Sequence, residues 1–205
     1  MVSIGHTDIK LERLHEAFSL GIGLITHIFN AMGESFVIEK GIKPAGIQEE
    51  LLICDDLMCE VMCDKKAVHV SPALLKVLLR CKGVNNIILI TDSMNMTGNP
   101  PGKYYFHDGR AAFIFEDDDV VRLGNGSLAG SIMTINNTIL NMIKHTGIGL
   151  KEALQMVTSN PAKALKISNL KGEIREGMDA DIVVFNNEIM IFMTIAEGKI
   201  VYNIL

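Results

Sequence analysis

Residues 71–92 read SPALLKVLLRCKGVNNIILITD and decide the fold class of the chain. Ser71 is a good helix N-cap, and Pro72 stands at the first helical position, where its missing N–H costs nothing. A helix should therefore run from Ser71 to Gly83. Residues 86–91 form a short run rich in Ile, of the kind found in strands that are buried on both faces. The stretch predicts a helix followed by a buried parallel strand.

The same order of elements is repeated upstream of this unit. Residues 2–6 are strand-like, and Asp8 is predicted to be the N-cap of an amphipathic helix that ends at Gly21. Residues 24–29 and 57–62 are two further strands, separated by a long connection. The order strand, helix, strand, loop, strand, helix, strand predicts a parallel α/β sheet with right-handed crossovers, either open or closed into a (β/α)₈ barrel.

The second half of the chain changes character. An Asp108–Gly109 turn between aromatic runs predicts a hairpin insertion over about 104–123. Short strands after Gly172 predict a small β appendage. We therefore divide the chain into a barrel-type part over 1–165 and an appendage over 166–205. Two helices are predicted between the hairpin insertion and the appendage, at about 131–146 and 150–158.

Composition excludes several classes of function. The 205 residues are 48% hydrophobic with a net charge of -5, and the 19 Lys and Arg residues are scattered, so no nucleic-acid or anionic membrane partner is indicated. No signal peptide is recognisable, and no apolar stretch approaches the roughly 18 residues that span a bilayer. The four cysteines lack CxxC spacing and indicate reduced thiols in the cytoplasm. A zinc site at Cys59 and Cys63 is the alternative, but no second ligand pair follows.

Polar residues stand near the carboxyl ends of the predicted strands. His6 closes the first strand, His27 lies in the second, and Asp92 closes the fourth. His69 lies between the third strand and its helix. Each alone has an ordinary explanation as a core histidine or a turn-forming aspartate. Because the carboxyl ends of parallel strands converge on one crevice, the four together predict a functional site.

The residue types in this group are typical of metal-dependent hydrolysis. Two imidazoles and a carboxylate suit zinc and tolerate iron or manganese. Such a metal lowers the pKa of a bound water toward about 7, which makes hydroxide available as the nucleophile. Asp92 is placed to take the proton and to pass it to a leaving amine. The three other histidines, which we interpret as solvated, are His15, His107 and His145.

A glycine-rich segment, LGNGSLAGS at 123–131, precedes a predicted helix. Its backbone N–H groups could bind an anion or a hydroxyl-rich ligand at the helix start, although a plain turn explains the pattern equally well.

Seven motifs, in order and spacing, resemble the N-acetylglucosamine-6-phosphate deacetylases of the amidohydrolase superfamily. They are GHT at 5–7, THIFNAM at 26–32, VHVSP at 68–72, LITDSM at 89–94, GSLAGS at 126–131, SNPA at 159–162 and GEIREGMDADIV at 172–183. The resemblance covers essentially the whole chain. The second and fifth motifs are specific to this family, whereas the last is shared more widely among amidohydrolases.

This resemblance implies a fold, a reaction and a set of residue roles. The fold would be the C-terminal half of a (β/α)₈ barrel with a small β-sandwich appendage, and the protein would be a homodimer. The reaction would be hydrolysis of the acetamide of N-acetylglucosamine 6-phosphate to glucosamine 6-phosphate and acetate. The implied roles are metal binding by His6 and His27, general base and acid for Asp92, sugar-phosphate binding by Asn30 and Ala31, a substrate contact near the reacting amide by His69, and lining of the acyl pocket by Leu128, Ala129, Gly130 and Ser131.

Three departures from the family pattern affect these expectations. The family's carboxylate ligand lies on a strand upstream of Met1, and two imidazoles hold zinc less firmly than three protein ligands. The loop after the Asn-Ala-Met lacks the family's phosphate-binding arginine, and Lys40 could serve only as a point charge. The usual Asp-Gly-x-His is lengthened in residues 64–69, DKKAVH, where Lys65 or Lys66 could compensate for the arginine.

Two alternatives therefore stay open from sequence. The chain could be a truncated, non-catalytic remnant that binds a sugar phosphate weakly or only dimerises. It could also act on a related amino sugar, such as N-acetylgalactosamine 6-phosphate.

Overall fold

A computed structural model describes residues 1–33, 41–42 and 44–205 of the chain. Its first part is a four-stranded sheet in the order β1-β2-β3-β4, in which every neighbouring pair is parallel. The elements of this part are β1 (Val2–Ile4), α1 (Leu11–Ser19), β2 (Ile22–Ile25), α2 (Ile47–Ile53), β3 (Met58–Met62), α3 (Pro72–Lys82) and β4 (Ile87–Ile90). The predicted parallel sheet is confirmed.

The helices pack on this sheet through side chains at helical spacing. On α3, Leu75 and Leu78 are fully buried, and α1 buries Leu14 against the same core. Burial of each such side chain stabilises the fold by about 1.5–3 kcal/mol. The predicted start of α3 is confirmed, since the Oγ of Ser71 accepts a hydrogen bond from the N–H of Leu74 at 3.4 Å.

Two boundaries differ from the sequence predictions, and one helix was not predicted. Helix α1 begins at Leu11, and Asp8 is not its cap, because Thr7 pairs with Met32 and keeps the chain extended up to Lys10. Strand β2 ends at Ile25, so His27 follows the strand instead of lying in it. Helix α2 was not predicted, and it occupies part of the long connection before β3.

The insertion is larger than the predicted hairpin over 104–123. It is an antiparallel meander of four strands, β5 (Gly102–Tyr105), β6 (Ala111–Ile114), β7 (Val120–Leu123) and β8 (Leu128–Ser131). The Asp108–Gly109 turn is confirmed, because the N–H of Gly109 donates to the carbonyl of Phe106 at 2.9 Å. Strand β8 escaped prediction because its sequence, LAGS, has little strand propensity and depends on pairing with β7.

The rest of the chain adds three helices and a small sheet. These are α4 (Ile135–Thr146), α5 (Leu150–Gln155), α6 (Ser159–Ala164), β9 (Ile182–Phe185), β10 (Ile191–Ala196) and β11 (Lys199–Asn203). The short-strand pattern predicted strands in this segment, and the structure shows three that are antiparallel in the order β11-β10-β9. Ile189, in the turn between β9 and β10, is buried against Ile139 and Ala153 and docks the sheet on α4 and α5.

The α/β class is confirmed. In the described part of the chain, the outer strands β1 and β4 do not pair with each other, and β9 to β11 form one sheet. The half barrel, the β-sandwich and the boundary between 1–165 and 166–205 therefore stay predictions. No helix within the described ranges has both the length and the apolar character to cross a membrane.

Candidate active site

Two histidines meet at the carboxyl ends of β1 and β2. The register pairs Ile4 with Ile25, and each histidine stands two residues beyond its paired isoleucine, so His6 and His27 reach the same level. Their Nε2 atoms are 2.9 Å apart, and the ring centroids are 4.6 Å apart with the planes at 78°. His27 is buried and His6 is exposed. The sheet register thus brings together two residues that the sequence separates by 21 positions.

Shortly after three of the four parallel strands end, the backbone has a residue with a positive φ angle. The φ angles are 47° at His6, 28° at His27 and 48° at Asp92, all in the left-handed region. Ala31 follows with a φ of 50°. Residues other than glycine rarely adopt this region, and each instance costs on the order of 1–3 kcal/mol. Such strain clusters at functional sites, which agrees with the predicted position of the site.

A carboxylate on β3, not singled out from the sequence, belongs to the same group. The pKa of Glu60 is raised, chiefly by burial and also by the negative charge of Asp92. The charge of His27 and a hydrogen bond from its backbone offset part of this rise. Glu60 is therefore within electrostatic reach of both residues. Its backbone carbonyl also accepts a hydrogen bond from the N–H of Ile28 at 2.8 Å. The available signal was a lone charge in the apolar strand MCEVM.

His69 is held by a second carboxylate that the sequence did not assign a role. One carboxylate oxygen of Asp64, Oδ2, lies 3.2 Å from Nδ1 of the His69 ring. Both side chains are almost completely buried, with exposures of 2% for His69 and 0% for Asp64. The amide Nδ2 of Asn30 donates to the backbone carbonyl of His69 at 3.1 Å. The predicted residues Asn30 and His69 are thus in direct contact.

Three buried polar atoms in this region have no hydrogen-bond partner among the described residues. They are Nδ1 of His27, Oδ1 of Asn30 and Nε2 of His69. Buried polar groups in folded proteins almost always have a partner, in the protein or in bound water or ligand. All three belong to residues predicted for the site, so a polar ligand or ordered water is the expected partner. Lys40, the predicted phosphate contact, lies outside the described residues.

Asp92 is held in place by the segment expected to be a loop at a helix start. Residues 128–131 form β8 instead, and α4 begins only at Ile135. The N–H of Ser131 donates to the carbonyl of Asp92 at 2.9 Å, and the Ser131 hydroxyl donates to the carbonyl of Thr91. Ser131 is fully buried, so its hydroxyl serves the backbone. Leu128, Ala129 and Gly130 are half-buried beside it.

The remaining basic side chains divide into solvated and structural ones. His15 and His107 are exposed, as predicted. His145 is not simply solvated, because its Nε2 donates to the backbone carbonyl of Asp64 at 3.0 Å. Lys65 forms an ion pair with Asp117 of the meander. That pairing competes with its suggested role as a substitute for the phosphate-binding arginine.

The His6 and His27 pair fits part of a metal site. Two nitrogen ligands of a tetrahedral zinc ion would lie about 3.3 Å apart, close to the observed Nε2 separation. Within the described ranges, no group of three or more His, Cys, Asp or Glu side chains could hold a metal. The side chains of Cys59 and Cys63 are buried in the hydrophobic core, where burial raises the pKa of each thiol to about 12. The donor set is therefore two imidazoles.

Comparison with known proteins finds a family model and several relatives that match nearly the whole chain. The model of the amidohydrolase family matches residues 1–201. The N-acetylglucosamine-6-phosphate deacetylase of Lysinibacillus sphaericus is 34% identical over 98% of this chain and 49% of its own length. The N-acetylgalactosamine-6-phosphate deacetylase of Shewanella sp. (strain ANA-3) is 28% identical over 98% of this chain and 48% of its length. The chain thus spans about half the length of the curated relatives it matches.

Solved structures of the same group share the fold of the chain. The N-acetylglucosamine-6-phosphate deacetylase of Thermotoga maritima superposes with a TM-score of 0.86 at 29% identity, covering 98% of this chain and 52% of that one. A mutant of the Mycobacterium smegmatis enzyme, solved in complex with N-acetyl-D-glucosamine-6-phosphate, gives a TM-score of 0.84 at 25% identity and covers 98% and 51%.

Proposed function

This chain belongs to the amidohydrolase family, and from that membership we propose that it carries the base and two metal ligands of an enzyme that hydrolyses the acetamide of N-acetylglucosamine 6-phosphate. The products are glucosamine 6-phosphate and acetate. The observation that carries the proposal is the facing pair of His6 and His27, which lies at the same carboxyl edge of the parallel sheet as Asp92. The similarity to deacetylases over nearly the whole chain supports the substrate class.

His6 and His27 would hold a divalent cation through their Nε2 atoms. Zinc is our first candidate for this ion, and iron and manganese share the preference for imidazole. When bound, the ion polarises the amide carbonyl and acidifies a water molecule. By the resemblance, a carboxylate from the other half of a (β/α)₈ barrel completes the ligand set. A stoichiometric, tightly bound metal on the chain alone would contradict this incomplete site.

The chain's own residues would supply the proton transfers. In the proposed reaction, water adds to the carbonyl carbon and Asp92 accepts a proton from it. The bond between the carbonyl carbon and nitrogen then breaks, Asp92 returns the proton to the nitrogen, and acetate leaves. The hydrogen bond from Ser131 to the Asp92 carbonyl would keep the carboxylate in position.

The loop after β2 would hold the substrate. Asn30 and Ala31 would bind the sugar phosphate, in line with the buried amide oxygen of Asn30 that lacks a described partner. His69 would contact the reacting amide through its Nε2, which has no partner among the described residues. Leu128, Ala129 and Gly130 would line the acyl side. A homodimer, a β-sandwich appendage and a cytoplasmic location are parts of the same proposal.

The test is release of acetate from N-acetylglucosamine 6-phosphate. Asp92→Asn keeps the shape of the side chain but cannot accept the proton, so the rate should fall by about 10²–10⁴-fold. Asp56→Asn, which changes an exposed aspartate in the turn before β3, is the matched control and should leave the rate unchanged. A wild-type rate in Asp92→Asn would exclude this residue as the base.

The second candidate substrate is the galactosamine epimer, favoured by the similarity to the Shewanella deacetylase. Acetate release from the two N-acetylhexosamine 6-phosphates, measured side by side, separates the candidates by their kcat/KM values. No acetate from either sugar, together with an intact fold, would favour a non-catalytic remnant instead.

A further inference from the structure

The loop between β3 and α3 contains a buried carboxylate whose contacts converge on one histidine. Oδ1 of Asp64 accepts a hydrogen bond from the N–H of Val68 at 2.7 Å, and Oδ2 accepts one from the N–H of His69 at 2.8 Å. The same Oδ2 lies 3.2 Å from Nδ1 of the His69 ring. The carboxylate therefore holds both the backbone and the ring of His69.

The ionisation of Asp64 decides which ring nitrogen of His69 carries hydrogen. Burial alone would raise the pKa of Asp64, but the hydrogen bonds from the His69 ring and from the backbone N–H groups of Val68 and His69 outweigh burial and lower the pKa to about 2. An ionised carboxylate can only accept hydrogen bonds. Nδ1 of His69 must therefore be the donor, while Nε2 is buried without a partner among the described residues.

The loop is also anchored from outside, so its geometry does not depend on Asp64 alone. On α4, Nδ2 of Asn141 donates to the carbonyl of Cys63 and Nε2 of His145 donates to the carbonyl of Asp64, both at 3.0 Å. Asn30 donates to the carbonyl of His69 from the loop after β2. Removal of the Asp64 carboxylate should therefore change the hydrogen bonding of the His69 ring while the loop stays folded.

The lengthened segment between Asp64 and His69 closes in a turn that allows this contact. Ala67 adopts a left-handed φ of 56°, and its N–H donates to the carbonyl of Asp64 at 3.1 Å. This turn takes up the extra residues and returns the chain to the carboxylate.

From these contacts we infer that Asp64 is a positioning residue, which keeps the hydrogen of His69 on Nδ1 and leaves Nε2 free to accept a hydrogen bond from the substrate amide. The role toward substrate rests on the proposed deacetylase function. The tautomer of His69 does not, and it can be measured on the chain without any substrate.

The first measurement is the ring-nitrogen NMR spectrum of the ¹⁵N-histidine-labelled full chain. The His69 signals are assigned by their loss in His69→Gln. At a pH where the ring is neutral, Nδ1 should resonate in the protonated range and Nε2 in the range of a nitrogen with a lone pair. The opposite pattern in the wild-type chain would overturn the inference, whether or not any variant folds.

The second measurement compares two substitutions that touch the same loop. Asp64→Ala removes the acceptor of the Nδ1 hydrogen, so the tautomer population should shift toward hydrogen on Nε2. Asp117→Asn removes the exposed partner of Lys65 and should leave the His69 signals unchanged. Unchanged His69 signals in a folded Asp64→Ala chain would contradict the proposed role.

The third measurement links the tautomer to catalysis in a preparation that releases acetate. Asp64→Ala should lower kcat by about 10²–10⁴-fold with a much smaller change in KM, since a wrong tautomer removes a proton-transfer or hydrogen-bonding group. An unchanged kcat despite a switched tautomer would overturn the positioning role. If no preparation of the wild-type protein releases acetate, the proposed function fails, while the tautomer still decides whether Asp64 holds His69.

Discussion

Three residues of the candidate site have backbone conformations that lower the stability of the fold. His6, His27 and Asp92 leave their strands with positive φ angles, which cost on the order of 1–3 kcal/mol each. No local sequence signal requires this conformation at these positions. The strain persists because the flanking parallel strands and the contacts to Ser131 and Met32 fix the backbone on both sides.

Asp64 should make stability depend on acid pH. Its pKa in the folded chain is lowered to about 2 from a reference value of 3.8. A depressed folded-state pKa stabilises the protein above the reference value, and that stabilisation is lost as pH falls from 3.8 through about 2. The shift corresponds to about 2 kcal/mol at neutral pH. Urea unfolding at decreasing pH should show wild type and Asp64→Asn converging in this window.

Asp117→Asn is the control for this prediction, because it removes an exposed carboxylate from the same loop contact. Exposed ion pairs are screened by solvent and contribute little. A stability difference between wild type and Asp64→Asn that stays constant down to pH about 2 would show that the Asp64 carboxylate is not the stabilising group.

At the scale of elements, local signals and long-range pairing contribute differently. Helix α3 begins where Ser71 and Pro72 predict, because capping depends only on neighbours in sequence. Strand β8 has no such local signal. It forms because Val120 and Arg122 of β7 pair with it, and because the N–H of Ser131 donates to the backbone carbonyl of Asp92.

Two glycines in this region separate conformational strain from steric contact. Gly130 and Gly126 have similar φ angles of 76° and 87°. A Cβ at Gly130 would meet Met94 Cε at 2.5 Å and the carbonyl oxygen of Asp92 at 2.7 Å, whereas nothing lies within 4 Å at Gly126. Gly126→Ala should therefore cost about 1 kcal/mol, and Gly130→Ala about 1–3 kcal/mol more.

Urea unfolding of both variants measures this difference. Gly130→Ala should also lower acetate release, because the clash falls on the backbone of Asp92, whereas Gly126→Ala should not. Equal stability of the two variants would mean that β8 is free to shift away from Asp92.

At the scale of the whole molecule, one buried side chain joins the small sheet to the helices. Ile189 is 2% exposed and packs with Ile139 and Ala153, and its carbonyl accepts a hydrogen bond from Asn136. Ile189→Ala should cost about 2–5 kcal/mol and loosen the sheet from α4 and α5. Its neighbour Met190 is 56% exposed, so Met190→Ala should change little.

Hydrogen exchange on β9 to β11 checks this docking directly. The amides of these strands should exchange faster in Ile189→Ala than in Met190→Ala, while those of β3 and β4 stay protected. Equal protection of the small sheet in both variants would show that other contacts hold it in place.

The sequence by itself determined the alternation of strands and helices, the start of α3, the Asp108–Gly109 turn and the presence of His6, His27 and Asp92 near strand ends. These features depend on periodicity, capping and turn chemistry, which act between near neighbours. The motifs also identified the family, because their order along the chain does not require a fold to be known.

Only the tertiary structure decided how these residues meet. The facing Nε2 atoms of His6 and His27 depend on the register between β1 and β2. The position of Glu60, which lies on β3, depends on the pairing of β3 with β2. The contact of Asp64 with His69 depends on how a lengthened loop closes. Register and loop closure are set by packing between distant segments, so no local pattern in the sequence could have specified them.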